Sequence, residues 1–415
     1  KKMESNSKKT YTNQGSPVTN HDSHLTPRGL ERRIKRHLTS QQCTLFAITV
    51  PGFEQILMKE VQALPDVCRV VCTEGGVEFT GSFDTVYFAN MQLRTANRVL
   101  MRLDSFTARS YPELYNKAKR INWELYSGFE TDIDFSVSSS SSRLHHTGNI
   151  ENAVFDSMKE VMNSLGVAIK KVKHAVIKYH IRFLDDHCTI SIDSSGALLY
   201  RRGFRTEVAH APIRETTASA LLLASDCYKY PVIADPMCGS GTFLLEAQMI
   251  VDTIYPGLSR SFAFETWPSF TESKYLRLKK KLQEGCIRSE RTLIGSDISE
   301  TAVNAAITNG RQSGFAERIA FMQKDFFTFN SDSTFGTNGL IISNLPYGRR
   351  VGESTALHAL YKNIGKHLKK YCKGWHYGFV TADRAFPSIS GLPVSKEIRF
   401  VNGGIPVTFF TGEIR

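Results

Sequence analysis

The chain has 415 residues, too many for one ordinary domain, and its 41% hydrophobic and 22% charged content is that of a soluble globular protein. No apolar run approaches the length that spans a bilayer, and the N-terminus carries lysines and serines without the apolar stretch of a secretory signal, so a cytoplasmic location is expected. The formal net charge of +12 favours a polyanionic partner without separating RNA from DNA or a membrane surface.

Residues 1–42 read as a basic tail, poor in large apolar side chains and ending in Arg32, Arg33, Lys35 and Arg36; phosphate contact and plain solubilisation are both open. From Cys43 the texture turns globular. Residues 45–50 alternate as a strand, Gly52 marks a turn, and Phe53, Ile56, Leu57, Val61 and Leu64 recur at helical spacing. Strands near 67–72 and 76–79 and a helix over 83–93 complete a small α+β unit. The serine-rich stretch 136–142 reads as a loop, 149–164 as an amphipathic helix and 188–193 as a strand of a second α+β unit. Around them Lys170, Lys171, Lys173, Arg201, Arg202 and Arg205 crowd cations between apolar positions, which fits an RNA-facing surface, although each alone is equally a solvated side chain. Of the eight cysteines, Cys68 and Cys72 stand four apart with no second pair or nearby histidines, so reduced thiols and no metal site are expected.

After His210 helices and strands alternate regularly: helix 214–224, strand 232–235, helix 241–253, strand 292–296, helix 299–313 and strand 318–323. Strand 339–343, helix 355–371, strand 376–381 and two closing strands over 396–401 and 406–412 follow. This is the signature of a doubly wound α/β sheet, whose ligand sits at the carboxyl ends of the strands.

The first such strand end reads ADPMCGSGTFLLEA over 234–247. Gly239 and Gly241 allow dihedrals and a close ligand approach that a Cβ forbids, and Asp235 accepts hydrogen bonds from a cationic ligand. A phosphate loop would want a lysine where Phe243 follows Thr242, and an acid here disfavours a pyrophosphate while suiting the ammonium of S-adenosylmethionine. The second strand ends in Asp297, placed to bind ribose hydroxyls, and the third in Lys324, Asp325 and Phe326, where an acid and an aromatic suit an adenine; Asp325 as a helix cap is the alternative. The fourth ends in Asn344, Leu345, Pro346 and Tyr347, the pattern Asn-x-Pro-Tyr/Phe that suits methylation of an exocyclic amine. Such a nitrogen has its lone pair delocalised into the ring. The Asn344 side-chain oxygen and the Leu345 carbonyl can draw its hydrogens and favour a pyramidal nitrogen, while Pro346 stiffens the turn and Tyr347 stacks on the base.

In this order, GGVEFTG (75–81), LRTANRVLMRL (93–103), LYRRGFR (199–205), APIRETTASALLL (211–223), DPMCGSGTFLLEA (235–247) and NLPYG make the chain resemble the bacterial THUMP-containing family that forms N2-methylguanosine in 23S ribosomal RNA. The resemblance implies an α/β, Rossmann-like class I methyltransferase with a mixed seven-stranded sheet over 206–415. It places before this an α+β ferredoxin-like part over 43–105 and a THUMP RNA-binding domain over 106–205. It implies S-adenosylmethionine as cofactor, held by Asp235, Met237, Cys238, Gly239, Gly241 and Thr242, by Asp297, Ile298, Asp325, Phe326 and Asn344, and by Pro212, Arg214, Glu215 and Thr216. Asn344, Leu345, Pro346 and Tyr347 would form the catalytic set.

The implied partner is RNA, either 23S rRNA or a large-subunit assembly intermediate. Residue 345 is leucine where many ribosomal members have proline, and leucine also occurs in similar enzymes of tRNA guanosine, which makes tRNA the alternative. The rival from another class is a non-catalytic RNA-binding factor of ribosome assembly. It has no need of an intact Asp235, Gly239, Gly241, Asn344, Pro346 and Tyr347 together.

Overall fold

The helix α1 (Pro27–Ile34) opens on Pro27 with the Thr26 hydroxyl accepting from the Gly29 N–H, and runs into a single π-helical turn, Lys35–Thr39. The computed structural model describes residues 25–203, 213–331, 336, 338–347 and 353–415. Ordered structure therefore starts well before residue 43, which corrects the expected tail of 1–42; its residues 1–24 lie outside the described residues. Leu30, Ile34 and Leu38 recur four apart beneath the basic residues, and Leu38 is buried in the core that the other two pack against. Arg33, expected either at phosphate or in a solvated tail, instead reaches the buried carboxylate of Glu124 at 2.6 Å and the Asn122 Oδ1 at 3.0 Å.

The N-terminal half then runs β1 (Cys43–Ile48), α2 (Glu54–Gln62), β2 (Val70–Thr73), β3 (Gly76–Gly81), α3 (Asp84–Gln92), β4 (Arg98–Thr107), α4 (Tyr111–Ala118) and β5 (Thr131–Ser140). It closes with α5 (Thr147–Ser164), β6 (Ile169–Lys171), β7 (Ile177–Leu184) and β8 (His187–Asp193). Its strands make one eight-stranded sheet, ordered β2-β3-β1-β4-β8-β7-β5-β6. The division expected at 105 falls inside β4, which pairs with β1 on one edge and β8 on the other, so the two α+β units share a continuous sheet. Residues 136–140 of the serine run expected as a loop are instead the second half of β5, while Ser141 and Ser142 lie beyond its end. Ile133, Phe135 and Val137 alternate inward from it, the serines follow, and β7 pairs along it from Ile133 to Ser140. Serine is tolerated there because the pairing backbone and the apolar face decide the strand.

The second half supplies α6 (Glu215–Ala224), β9 (Val232–Asp235), α7 (Thr242–Val251), α8 (Glu272–Glu284), β10 (Thr292–Asp297), α9 (Glu300–Gln312) and β11 (Ile319–Gln323). After these come β12 (Leu340–Asn344), α10 (Glu353–Tyr371), β13 (His376–Thr381), α11 (Phe386–Ser390), β14 (Lys396–Asn402) and β15 (Ile405–Glu413). The sheet is seven-stranded and mixed, ordered β11-β10-β9-β12-β13-β15-β14, with β15 antiparallel to both its neighbours. Chain direction reverses its outward walk between β9 and β12, which is where such sheets open a ligand crevice.

The two halves interlock. Residues 255–286, between α7 and β10, leave the second sheet and complete the core of the first with Leu258, Phe262, Phe264, Trp267 and Tyr275. Tyr87 of α3 stands 4.9 Å, ring centre to ring centre, from Phe264, and Tyr126 stands 5.8 Å from Trp267. Arg202, expected on an RNA-facing surface, is 1% exposed and buried at this junction. Its guanidinium makes two 3.1 Å bonds to the Glu246 carboxylate of α7 and donates to the carbonyls of Arg94 at 2.7 Å and Leu199 at 3.0 Å. The same side chain thus closes the first half onto the second, a role that the run of three nearby arginines concealed.

Candidate active site

At the end of β9 the chain turns through Pro236–Met237–Cys238 and two glycines in the left-handed region, Gly239 at φ 52° and Gly241 at φ 83°. A Cβ on Gly241 would lie 2.9 Å from the Phe321 ring, so that glycine is fixed by packing of α7 against β11 rather than by a ligand. The turn is tied to β10 by two backbone donors. Cys238 N–H reaches the Ser296 carbonyl at 2.9 Å, and Gly239 N–H reaches Asp297 Oδ2 at 3.0 Å. The other oxygen of Asp297 accepts from Ser299 N–H at 2.9 Å, at the cap of α9.

Asp235 is 1% exposed. Burial pushes its carboxyl up to about 7, against the hydrogen bonds it accepts on Oδ1 from the Ser343 hydroxyl (2.5 Å) and the Met237 N–H (3.2 Å); the charge of Asp297 pushes the same way. The Ser343 bond spans the crevice between β9 and β12 and brings Asp235 beside the strand that ends in Asn344.

Beyond Asn344 each residue of the fourth strand end is pinned by a different partner. Leu345 N–H donates to the Val380 carbonyl at 3.0 Å, and its side chain is buried. The Pro346 carbonyl accepts from the Tyr361 hydroxyl at 2.8 Å, which also bonds Thr381 at 2.8 Å. Tyr347 presents its hydroxyl to Asn402 of β14, whose Nδ2 donates at 3.0 Å. With all three held, the turn has little freedom to move relative to β13 and β14.

These strand ends surround a cavity of about 1170 Å³, room for a nucleoside-sized group and a base together. Asp235, Met237, Cys238, Gly239 and Thr242 line it, as do Asp297, Ile298, Asp325 and Phe326, and it is closed by Asn344, Leu345, Pro346 and Tyr347. Its wall carries both carboxylates and apolar groups, and among the latter Ile298 is 70% exposed and Phe327 38%, high for side chains of that kind. Asp325 caps the turn Phe326–Thr328, its Oδ1 accepting from Phe327 N–H at 2.8 Å. Phe326, expected to stack on adenine, is largely buried in the core, and its neighbour Phe327 is the more exposed aromatic.

Several expected residues stand elsewhere. Gly241 does not line the cavity. Of the segment before α6, Ile213 lines it, whereas Arg214 lies over the Tyr200 ring at 5.0 Å, Glu215 is buried, and the Thr216 hydroxyl donates to Asn97 Oδ1 at 2.7 Å. The start of α6 is thus spent on the N-terminal half. Pro212 and Arg205 lie outside the described residues. Among the cations expected at RNA, Lys170, Lys173 and Arg201 are exposed, and Lys171 pairs with Glu151 at 3.0 Å. No group of three or more metal-ligating side chains occurs among the described residues. Ser343, Thr381 and Asn402 on strands and Tyr361 on α10 carry no motif in the sequence, because an isolated hydroxyl or amide signals nothing until the fold gives it a neighbour.

The residues fit the group implied. The acid-lined turn suits an ammonium and ribose hydroxyls, the exposed Ile298 and Phe327 suit an adenine, and among the described residues no lysine lines the cavity to demand a phosphate. Comparison with known proteins agrees. Family models match the RlmL ferredoxin-like domain over 44–100, the THUMP domain over 108–193 and the RMKL-like methyltransferase domain over 202–410. The Bacillus subtilis protein YpsC is 31% identical over 372 residues, covering 88% of this chain and 95% of its own. The ribosomal RNA large subunit methyltransferase K/L of Pseudomonas aeruginosa is 30% identical over 393 residues, of which the match spans 89% of this chain and 54% of that longer protein. The crystal structure of SMU.472 complexed with SAH superposes with a TM-score of 0.82 at 29% identity, covering 90% of this chain and 99% of the other. With fold, strand-end residues and relatives in agreement, the chain belongs to the THUMP-containing, RMKL-like family of S-adenosylmethionine-dependent methyltransferases, related to the RlmL/YpsC-like RNA methyltransferases.

Proposed function

We propose that this methyltransferase acts on the exocyclic N2 amine of a guanosine in RNA, with large-subunit ribosomal RNA as the substrate and tRNA as the alternative. The observation that carries the reading is the placement of Asn344, Leu345, Pro346 and Tyr347 in one cavity with Asp235, at the crevice between β9 and β12. The cofactor, when bound, supplies a methyl group on a cationic sulfur. The protein's part is to hold the amine. Asn344 Oδ1 and the Leu345 carbonyl accept its two hydrogens, so the nitrogen lone pair turns out of conjugation toward the methyl. A cofactor held by the turn after Asp235 would supply the methyl, with its S–C bond broken as the N–C bond is made, and the surplus proton would leave the nitrogen along the hydrogen bond to Asn344 Oδ1 or the Leu345 carbonyl. Tyr347 stacks on the guanine, which must be swung out of its helix or loop to enter the cavity. The THUMP module, with Lys170, Lys173 and Arg201 exposed, holds the surrounding RNA by phosphate and shape.

Mass spectrometry of nucleosides from ribosomal and transfer RNA, with and without the gene, tests the reading. Loss of N2-methylguanosine from the ribosomal pool is expected. Loss from the tRNA pool alone would move the substrate, and no change in either would overturn the reaction.

Asp235 adds a pH signature. Ionised, it attracts the ligand's ammonium, and with a carboxyl near 7 that form gains as pH rises from 6 to 8, so SAH affinity by calorimetry should strengthen about tenfold. Asp235→Asn should flatten the profile. The sign for the ligand-free protein is opposite: because the folded carboxyl sits above its unfolded value of 3.8, its contribution to stability is present below that value and lost as pH climbs through 7.

A further inference from the structure

The hairpin that ends the chain carries Asn402 as the last residue of β14, directly before the turn Gly403–Gly404. Asparagine in that place ordinarily serves the turn itself. Here the side chain is buried, 8% exposed, and points instead across to the active-site wall, where Nδ2 donates to the Tyr347 hydroxyl at 3.0 Å. A tyrosine ring has two soft torsions. Packing of Tyr347 against the core sets where the ring lies, and a bond at its far tip fixes the tilt.

β14 is an edge strand, which on its own would be a poor reference point. It is braced by the N-terminal half. Phe53 stands 5.1 Å from Phe400, ring centre to ring centre, and Gly52, at φ 102°, lies so close that a Cβ there would be 2.6 Å from the Arg399 carbonyl. The strand bearing Asn402 is therefore clamped between β15 and the β1–α2 turn.

We propose that Asn402 is a positioning residue for the methyl transfer, setting the tilt of the Tyr347 ring and with it the height at which the target base lies. This rests on the reading of Tyr347 as the stacking platform. Asn402 touches neither substrate nor cofactor; its effect passes through the tyrosine hydroxyl, and the bond is useful only while that hydroxyl exists.

The test is a double-mutant cycle on the full chain, with single-turnover methylation of ribosomal RNA purified from cells lacking the gene. Asn402→Ala in the wild-type background should lower the rate about tenfold, the effect of one lost positioning bond, with SAH affinity and melting temperature held. In a Tyr347→Phe background, the same Asn402→Ala change should have no further effect. An equal loss in both backgrounds would overturn the proposal, assigning Asn402 to the hairpin, and so would full activity of Asn402→Ala. Tyr347→Ala separates the underlying reading: if that variant methylates at the wild-type rate, the platform itself is wrong, whatever Asn402 does.

Discussion

Asn344→Ala is expected to bind SAH with nearly unchanged affinity and to lose methyl transfer by about 10²–10³-fold, the range for removing one preorganised polar group aimed at a reacting centre. The expectation follows from where the residue stands. β12 ends at Asn344, one residue after Ser343, whose hydroxyl donates a hydrogen bond to Asp235, so Asn344 lines the cavity between that carboxylate's partner and the turn that follows. On the proposed reading, binding of the cofactor has many other contributors, among them the turn after Asp235 and the Asp297 carboxylate. Holding an amine hydrogen has few. Calorimetry with SAH beside single-turnover methylation separates the two, and equal losses in both would make Asn344 a structural member of the pocket.

The second large effect lies far from the chemistry. Arg202→Ala should destabilise the protein by about 3–5 kcal/mol, because Glu246 is left charged and fully buried with the Ser219 hydroxyl among its remaining donors. Removing both charges together, as Arg202→Met with Glu246→Leu, should recover most of that loss, since the desolvation cost of the carboxylate disappears with it. Chemical unfolding monitored by tryptophan fluorescence reads both variants. A single variant as stable as the wild type would show that the junction tolerates an unpaired acid, and would remove this ion pair from any account of how the two halves are joined.

The catalytic half was legible because its signals are local. An apolar strand, an acid and spaced glycines announce the turn at Asp235, and the order of such turns announces the sheet. Asn344, Pro346 and Tyr347 are readable in pattern, with Leu345 at the position the pattern leaves open. What pins the turn is not. Tyr361 and Asn402 lie 15 and 55 residues from their partners and become visible only when α10 and β14 are folded beside β12. The errors in the N-terminal half have one cause. Charge and polarity suggest a place facing solvent or RNA for Arg33 and Arg202 and a loop for the serines of β5, whereas each is held by a long-range partner: a buried carboxylate for the two arginines, a neighbouring backbone for the serines. Nothing local in residues 255–286, rich in aromatics as they are, says which of two cores they fill.

The placement of that segment has a consequence for how the chain is made. Phe83, Tyr87 and Tyr126 find ring partners in Trp267, Phe264 and Tyr275, which leave the ribosome well after β8 has been synthesised. Through that interval the nascent N-terminal half carries an unfilled aromatic hollow, the kind of transient surface that chaperones and aggregates both recognise. Its core is finished only when residues belonging by sequence to the catalytic half arrive, so the RNA-binding module does not mature ahead of the enzyme it serves.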